Sequence, residues 1–212
     1  MITIAISKGR MQDDAIALLA EAGVRLSAAA LASRKLALED ESGSYRFIFV
    51  KPADVPVYVE HGIADCGIVG RDVLLESEAD VLLPLDLGIA RCRMVVAAID
   101  PEVINRSFGM LRVATKYSRI AGAHFGTRGI PVEIISLSGS VELAPALGLA
   151  DAIVDLVETG RTLQENGLKV VETITESTGR LVVNRASYQL KAGEIGRLTD
   201  AIERVVQGAS AK

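Results

Sequence analysis

The chain contains no tryptophan and only four phenylalanines and four tyrosines. So few aromatic rings argue against a base-stacking surface, and the prevalence of Ala, Val, Ile and Leu suits packed α/β layers better than a sandwich. Positive charge is also short: 23 Lys and Arg against 27 Asp and Glu leave a net charge of −4. No global basic field attracts nucleic acid, and any anionic ligand must be met by local groups. Candidates are Lys8, Arg10, Arg34, Lys35, Lys51, Arg91, Arg93 and Arg161. The two cysteines, Cys66 and Cys92, lie inside apolar runs without metal-type spacing and read as buried free thiols of a cytoplasmic protein. Only two histidines occur, His61 and His124, and neither has an acid or cysteine at ligand spacing, so no residue is assigned to a metal. No apolar run approaches a membrane span, and Ile2–Ile6 starts without a basic region or cleavage site, so neither a membrane nor a secretory role is expected. The absence of G-x-S-x-G, H-E-x-x-H, C-x-x-C and G-x-x-x-x-G-K-[ST] removes common hydrolase, zinc and Walker-type readings.

What is present is a chain of 212 residues, 50% hydrophobic and 24% charged, enough for one large domain or two small lobes. Strand-like runs at 3–7, 45–50, 64–69 and 81–87 alternate with helical patterns at 12–22 and 55–61, the signature of βαβ units. In the first helix Ala15, Ile16, Leu18, Leu19 and Ala22 share one face, leaving Asp13, Asp14 and Glu21 wet. After Asp86 a change of lobe is inferred: a long strand at 91–99, a break at Pro101, then strands at 111–114, 132–135 and 152–155 with helices at 118–125 and 141–147. Strands at 169–175 and 181–184 can carry the chain back. A final helix with Leu190, Ile195, Leu198, Ile202 and Val206 on one face should then pack on the first lobe. The expected lobes are 1–88 with 180–212, and 89–179, each a mostly parallel sheet flanked by helices; the tail 208–212 reads as disordered.

The segment with most chemistry in it is Glu142–Leu163, ELAPALGLADAIVDLVETGRTL. Ala152, Ile153 and Val154 form a buried strand, Asp155 and Glu158 place acids at its end, and Thr159, Gly160, Arg161 and Thr162 follow before a helix can open at 162–166. A loop at that position offers backbone N–H groups, glycine allows close approach, and the threonine hydroxyls and the Arg161 guanidinium add donors and charge. Lys8, Gly9 and Arg10 occupy the equivalent end of the first strand, where open α/β sheets bind ligands, and Lys51 ends another strand. A plain turn with solvated charges remains the alternative there. Asp65, Gly67, Gly70 and Asp72 read more as a packing turn than a site, and Ser140 reads as the N-cap of a helix carrying Glu142.

Acids followed by T-G-x-T resemble the phosphoribosyl diphosphate loop of phosphoribosyltransferases. The whole stretch, with Gly148, Ala150, Ile153, Asp155, Leu156, Thr159, Gly160, Thr162 and Leu163 in place, resembles the signature of the ATP phosphoribosyltransferase family. SKGR at 7–10, ASRKL at 32–36, residues 54–70 and ATKY at 114–117 extend the resemblance over nearly the whole chain. It implies a two-lobed periplasmic-binding-protein-like (type II) fold with substrates in the cleft. It also implies the first reaction of histidine biosynthesis, joining ATP to phosphoribosyl diphosphate with Mg²⁺ carried mainly by substrate phosphates. Under it, Thr159–Thr162 hold the 5′-phosphate, Asp155 and Glu158 the ribose hydroxyls, and Arg10 and Arg34 stabilise the bond that breaks. Lys8, Gly9, Lys51 and Glu142 complete the expected substrate contacts. Only a helix and a tail follow Asn184, so the chain resembles the short form, a homodimer within a hetero-oligomer that includes a regulatory subunit resembling histidyl-tRNA synthetase.

Two rivals are weaker. A nucleobase phosphoribosyltransferase of the other fold usually carries adjacent paired acids, whereas Leu156 follows Asp155 here. A non-catalytic two-lobed solute-binding module would be expected to carry a signal peptide.

Overall fold

The computed structural model describes residues 1–33, 35–106 and 109–210. Its backbone divides into two compact units, Met1–Ala90 with Thr178–Lys212, and Arg91–Ser177. The first unit begins β1 (Ile2–Ser7), α1 (Gln12–Glu21), α2 (Ala28–Leu31), β2 (Ala37–Glu39), β3 (Tyr45–Val50), α3 (Asp54–Glu60), β4 (Cys66–Gly70), α4 (Arg71–Ser77) and β5 (Leu82–Asp86). The second holds β6 (Cys92–Ala98), α5 (Val103–Arg106), β7 (Leu111–Thr115), α6 (Ser118–Thr127), β8 (Val132–Ser136), α7 (Leu143–Ala146), β9 (Ala152–Val157), α8 (Arg161–Glu165) and β10 (Lys169–Ser177). The chain returns to the first unit through β11 (Gly179–Val183), α9 (Arg185–Leu190) and α10 (Ala192–Ser210).

Each unit is built on one sheet, ordered β2-β3-β1-β4-β11-β5 in the first and β10-β6-β9-β7-β8 in the second. In the first, β3, β1 and β4 pair in parallel. β11 opposes both β4 and β5, so β5 again runs with β1, and β2 is reversed because it forms an antiparallel pair with β3. In the second only β6 opposes the common direction. The sheets are therefore mostly parallel in direction, and in each the reversed strand of the interior, β11 or β6, is the one formed just after the chain has passed between units. Most strand carboxyl ends consequently gather along one edge of each sheet.

Burial explains why the strands read as continuous apolar runs rather than alternating ones. Ile2, Ile4 and Ile6 of β1 enter one core cluster while Ala5 enters another on the opposite face. Ala152 and Val154 of β9 likewise face one cluster, and Ile153 and Val157 the other. Both faces are covered, as βαβ connections require. The final helix docks as expected: Ile195, Leu198 and Ile202 are buried beside β1 residues of the first unit, each contributing about 1.5–3 kcal/mol.

Several expectations need correction. Leu190 does not share that face: the helical run breaks at Lys191, and Leu190 ends α9 with 84% of its surface exposed. Residues 208–210, expected to be disordered, continue α10, while 211–212 lie outside the described residues. Ser140 is not a helix N-cap. Its backbone is left-handed (φ 49°), and the short α7 begins only at Leu143, with Glu142 preceding it. Pro84 sits within β5 without penalty because β5 is an edge strand, paired only with β11. Among the described residues no helix is long and apolar enough to cross a membrane.

Candidate functional site

Two groups of candidate residues lie at the carboxyl edges of the two sheets, one in each unit. In the first unit, the register pairs Ser7 with Val50, so the segments after β1 and β3 leave the sheet side by side. The Lys8 N–H donates to the Val50 carbonyl at 2.8 Å, tying the two exits together and placing Lys8 and Lys51 next to one another in the fold. Gly9 turns the chain with φ 97°, a conformation costly for any residue with a Cβ, and α1 starts three residues later. Lys8, Gly9, Arg10 and Lys51 are all exposed. Lys8 and Lys35 line a pocket of about 170 Å³ with Gln12, Leu31, Ser33, Leu36, Leu38 and Phe49. Arg10 donates from Nη2 to the Ala90 carbonyl at 3.3 Å. Arg34 lies outside the described residues, between the pocket-lining Ser33 and Lys35 in the chain.

The second unit gathers the acids and the T-G-R-T loop. β9 ends at Val157, and Glu158, Thr159, Arg161 and Thr162 are exposed beyond it. Gly160 is left-handed (φ 81°) and starts α8, whose first internal hydrogen bond runs from Gln164 N–H to the Gly160 carbonyl at 3.1 Å. The amides of Thr162 and Leu163 thus belong to the first turn, where no carbonyl within the helix can accept from them. Arg161 N–H reaches back to Thr159 Oγ1 at 3.5 Å. Leu163 anchors the turn in the apolar cluster below.

Asp155 is half-buried. Its side chain is 23% exposed, and Oδ1 is buried without a hydrogen-bond partner among the described residues. Burial pushes its carboxyl above the usual carboxylate range. Lys116 opposes that shift from 3.7 Å, and the nearby Glu142 charge reinforces it. Lys116 belongs to the ATKY segment, where no local spacing in the sequence marks it as a site residue. Its turn is fastened by Thr115, fully buried, whose Oγ1 donates to the Val154 carbonyl at 2.6 Å and accepts from Tyr117 N–H at 2.8 Å. The Lys116 ammonium lies 5.1 Å from the centroid of the Tyr117 ring.

Other singled-out residues are structural. Asp65 is buried, accepting from Thr3 N–H at 2.9 Å, Ser187 Oγ at 2.7 Å and Lys191 Nζ at 2.8 and 2.9 Å, which fixes α9 and the start of α10 to the first sheet. Burial raises its carboxyl, but these hydrogen bonds outweigh burial and hold it below the usual range. His124 Nε2 lies 2.9 Å from Glu172 Oε1, an acid 48 residues away that also receives Arg128, so α6 is pinned to β10. Arg112 grips Asp151 at 2.7 and 3.3 Å and the Gly148 carbonyl at 3.0 Å, at the amino end of β9 away from the loop. Arg91 pairs with Glu176 at 3.8 Å, both side chains being exposed. Cys66 and Cys92 are buried free thiols.

An anion-ready loop beside a half-buried carboxylate suits a ligand with a phosphate at one end and a diol at the other. The ATP phosphoribosyltransferase family model matches residues 51–204. An ATP phosphoribosyltransferase of Geobacillus kaustophilus is 51% identical over 206 residues, spanning 97% of this chain and 99% of that protein. Among solved structures, the ATP phosphoribosyl transferase (HisG:HisZ) complex from Thermotoga maritima superposes with a TM-score of 0.85 at 35% identity, covering 98% of this chain and 100% of that one. The periplasmic aliphatic sulphonate binding protein SsuA from Escherichia coli, 14% identical, covers 97% of this chain and 72% of its own with a TM-score of 0.59, a likeness of fold alone. The fold is of the periplasmic-binding-protein type, and the chain belongs to the ATP phosphoribosyltransferase family.

Proposed function

We propose that the chain joins N1 of ATP to C1′ of phosphoribosyl diphosphate, giving N1-(5-phosphoribosyl)-ATP and pyrophosphate, the first step of histidine biosynthesis. The observation that carries this is the conjunction at one sheet edge of the Thr159–Thr162 loop with Asp155, a half-buried carboxylate whose side chain keeps 23% of its surface exposed. A 5′-phosphate takes the first-turn amides of α8, the threonine hydroxyls and Arg161, while the ribose hydroxyls donate to Asp155 and Glu158. Glu142 lines the same site. In this reading the lobe of residues 89–179 holds the phosphoribosyl end.

The chemistry needs no strong base, because adenine N1 is already an unprotonated nucleophile near neutral pH. Charge is what must be stabilised: as the C1′ bond to diphosphate breaks, the ribose becomes oxocarbenium-like and negative charge grows on the leaving group. Arg10 and Arg34 serve that leaving diphosphate, with Lys8, Lys51 and the Gly9 turn fixing its position. Among the described residues no group of three or more His, Cys, Asp and Glu could hold a metal ion. Mg²⁺ would enter on the substrate phosphates, the usual habit of this ion, and neutralise charge on the diphosphate.

The Thermotoga maritima neighbour is a HisG:HisZ complex. By analogy this chain works as a homodimer within a hetero-oligomer with a regulatory subunit resembling histidyl-tRNA synthetase. Its buried free thiols fit a cytoplasmic enzyme. The test is formation of phosphoribosyl-ATP and pyrophosphate from the two substrates and Mg²⁺, with and without the regulatory subunit. Binding of both substrates without any product would leave a solute-binding module instead.

A further inference from the structure

Asp155 stands in an unusual setting for a group meant to receive hydroxyls. It lies on the face of the second sheet covered by α7 and α8, among Val95, Ile153, Val157 and Leu163, and an isolated carboxylate there is costly to keep charged. The charged groups around it come from separate elements. Lys116 arrives from the turn after β7, and Glu142 from the residue preceding α7. On β6 the residue opposite is the apolar Val95, with Arg93 two places along the same strand, and α8 contributes Leu163 to the apolar cluster.

We infer that Lys116 is a positioning residue of the phosphoribosyl site: its ammonium, 3.7 Å from the buried Oδ1, supplies the counter-charge that holds Asp155 ready for ribose hydroxyls reaching the exposed part of its side chain, against the opposing charge of Glu142. The inference rests on the reading of Asp155 given above. Its geometric basis is the Lys116 Nζ–Asp155 Oδ1 separation of 3.7 Å, close enough for strong attraction to the half-buried carboxyl.

The placement of Lys116 is built in. Thr115 grips both sides of the turn, through the Val154 carbonyl at 2.6 Å and Tyr117 N–H at 2.8 Å, and the buried Tyr117 ring provides a cation platform at 5.1 Å. A lysine that merely neutralised a buried acid for folding would act on stability alone. The positioning role predicts in addition a pH-dependent effect on sugar binding.

The experiment measures the affinity of the full-length chain for phosphoribosyl diphosphate by calorimetry from pH 5 to 9, in wild type, Lys116→Met, Lys116→Arg and Glu142→Gln. In Lys116→Met the pH below which affinity falls should rise by about one to three units and the curve should rejoin wild type at alkaline pH. Lys116→Arg should restore most of the wild-type curve. Glu142→Gln, by removing a like charge, should move the limb to lower pH. Equal weakening at every pH would place Lys116 on a substrate phosphate, and an unchanged curve with lowered stability would make it purely structural; either overturns the inference. Should Lys116→Met not fold, the sign of the Glu142→Gln shift and a ¹³C titration of the Asp155 carboxyl in wild type and Lys116→Arg decide. Wild type that fails to bind phosphoribosyl diphosphate at any pH would instead defeat the proposed function itself, before any variant is compared.

Discussion

Replacing Thr115 by valine keeps the shape of the side chain and removes only its hydroxyl, which makes it a clean probe of how the second unit builds its site. The hydroxyl is fully buried and serves two partners, the Val154 carbonyl at 2.6 Å and Tyr117 N–H at 2.8 Å. An abandoned buried donor or acceptor costs about 1–3 kcal/mol. The carbonyl, with a second lone pair, belongs at the lower end and the lone N–H nearer the middle, so the sum is about 3 kcal/mol. For a chain of this size that corresponds to a fall in Tm of about 6–12 °C if unfolding is cooperative. Urea titration should show a lower midpoint with an unchanged slope. Thr115→Ser, which retains both hydrogen bonds and loses a methyl group, should cost only about 1 kcal/mol. Because the same hydroxyl fixes the turn carrying Lys116, kcat/KM for phosphoribosyl diphosphate should fall in the valine variant and persist in the serine one. Thr115→Val within about 0.5 kcal/mol of wild type would refute the claim that this hydroxyl fastens the turn.

Other substitutions reach different parts of the molecule. Arg10→Ala should lower turnover about 10²–10³-fold while KM changes far less, since the interaction is assigned to the leaving group; steady-state kinetics decide, and unchanged turnover removes Arg10 from that role. Gly160→Ala places a Cβ at φ 81° and should cost about 1–2 kcal/mol in denaturation, with a higher KM for phosphoribosyl diphosphate; a neutral effect on both would mean the loop tolerates another conformation. Asp65→Asn tests acid stability. The Asp65 carboxyl is held below its ordinary value of 3.8 in the folded chain, so its contribution is present above that pH and is lost as pH falls through the folded value. The stability gap between wild type and Asp65→Asn in urea should therefore be open at pH 5–7 and close progressively below 3.8; a gap independent of pH would contradict the assignment.

The loop of residues 159–162 was legible in the sequence because everything that makes it is contiguous. An apolar strand, an acid at its end, a glycine for the left-handed turn and a helix start all fall within 152–165, and local backbone preferences decide each of them. The α/β class and the docking face of the final helix were legible for a similar reason: periodicity records which residues turn inward. Local reading misled where the deciding partner was remote or the short-range signal weak. Ser140 has the residue type of a cap but a left-handed backbone, and Leu190 fits the helical period but falls before a break at Lys191.

Pairings across the sheets could be decided only by tertiary structure. Asp65 reads as part of a packing turn, but the partner that holds it there, Lys191, lies 126 residues away. His124 had no acid nearby in the chain and acquires Glu172 through the packing of α6 on β10. Lys116 and Asp155 lie 39 positions apart in the chain and meet because β7 and β9 are parallel neighbours. The sequence by itself determined the parts that depend on near neighbours: the fold class, the loop that can hold a phosphate and the family resemblance. The charge environment of Asp155 needed the folded chain, because burial and Coulomb attraction depend on distances through space that no residue spacing encodes.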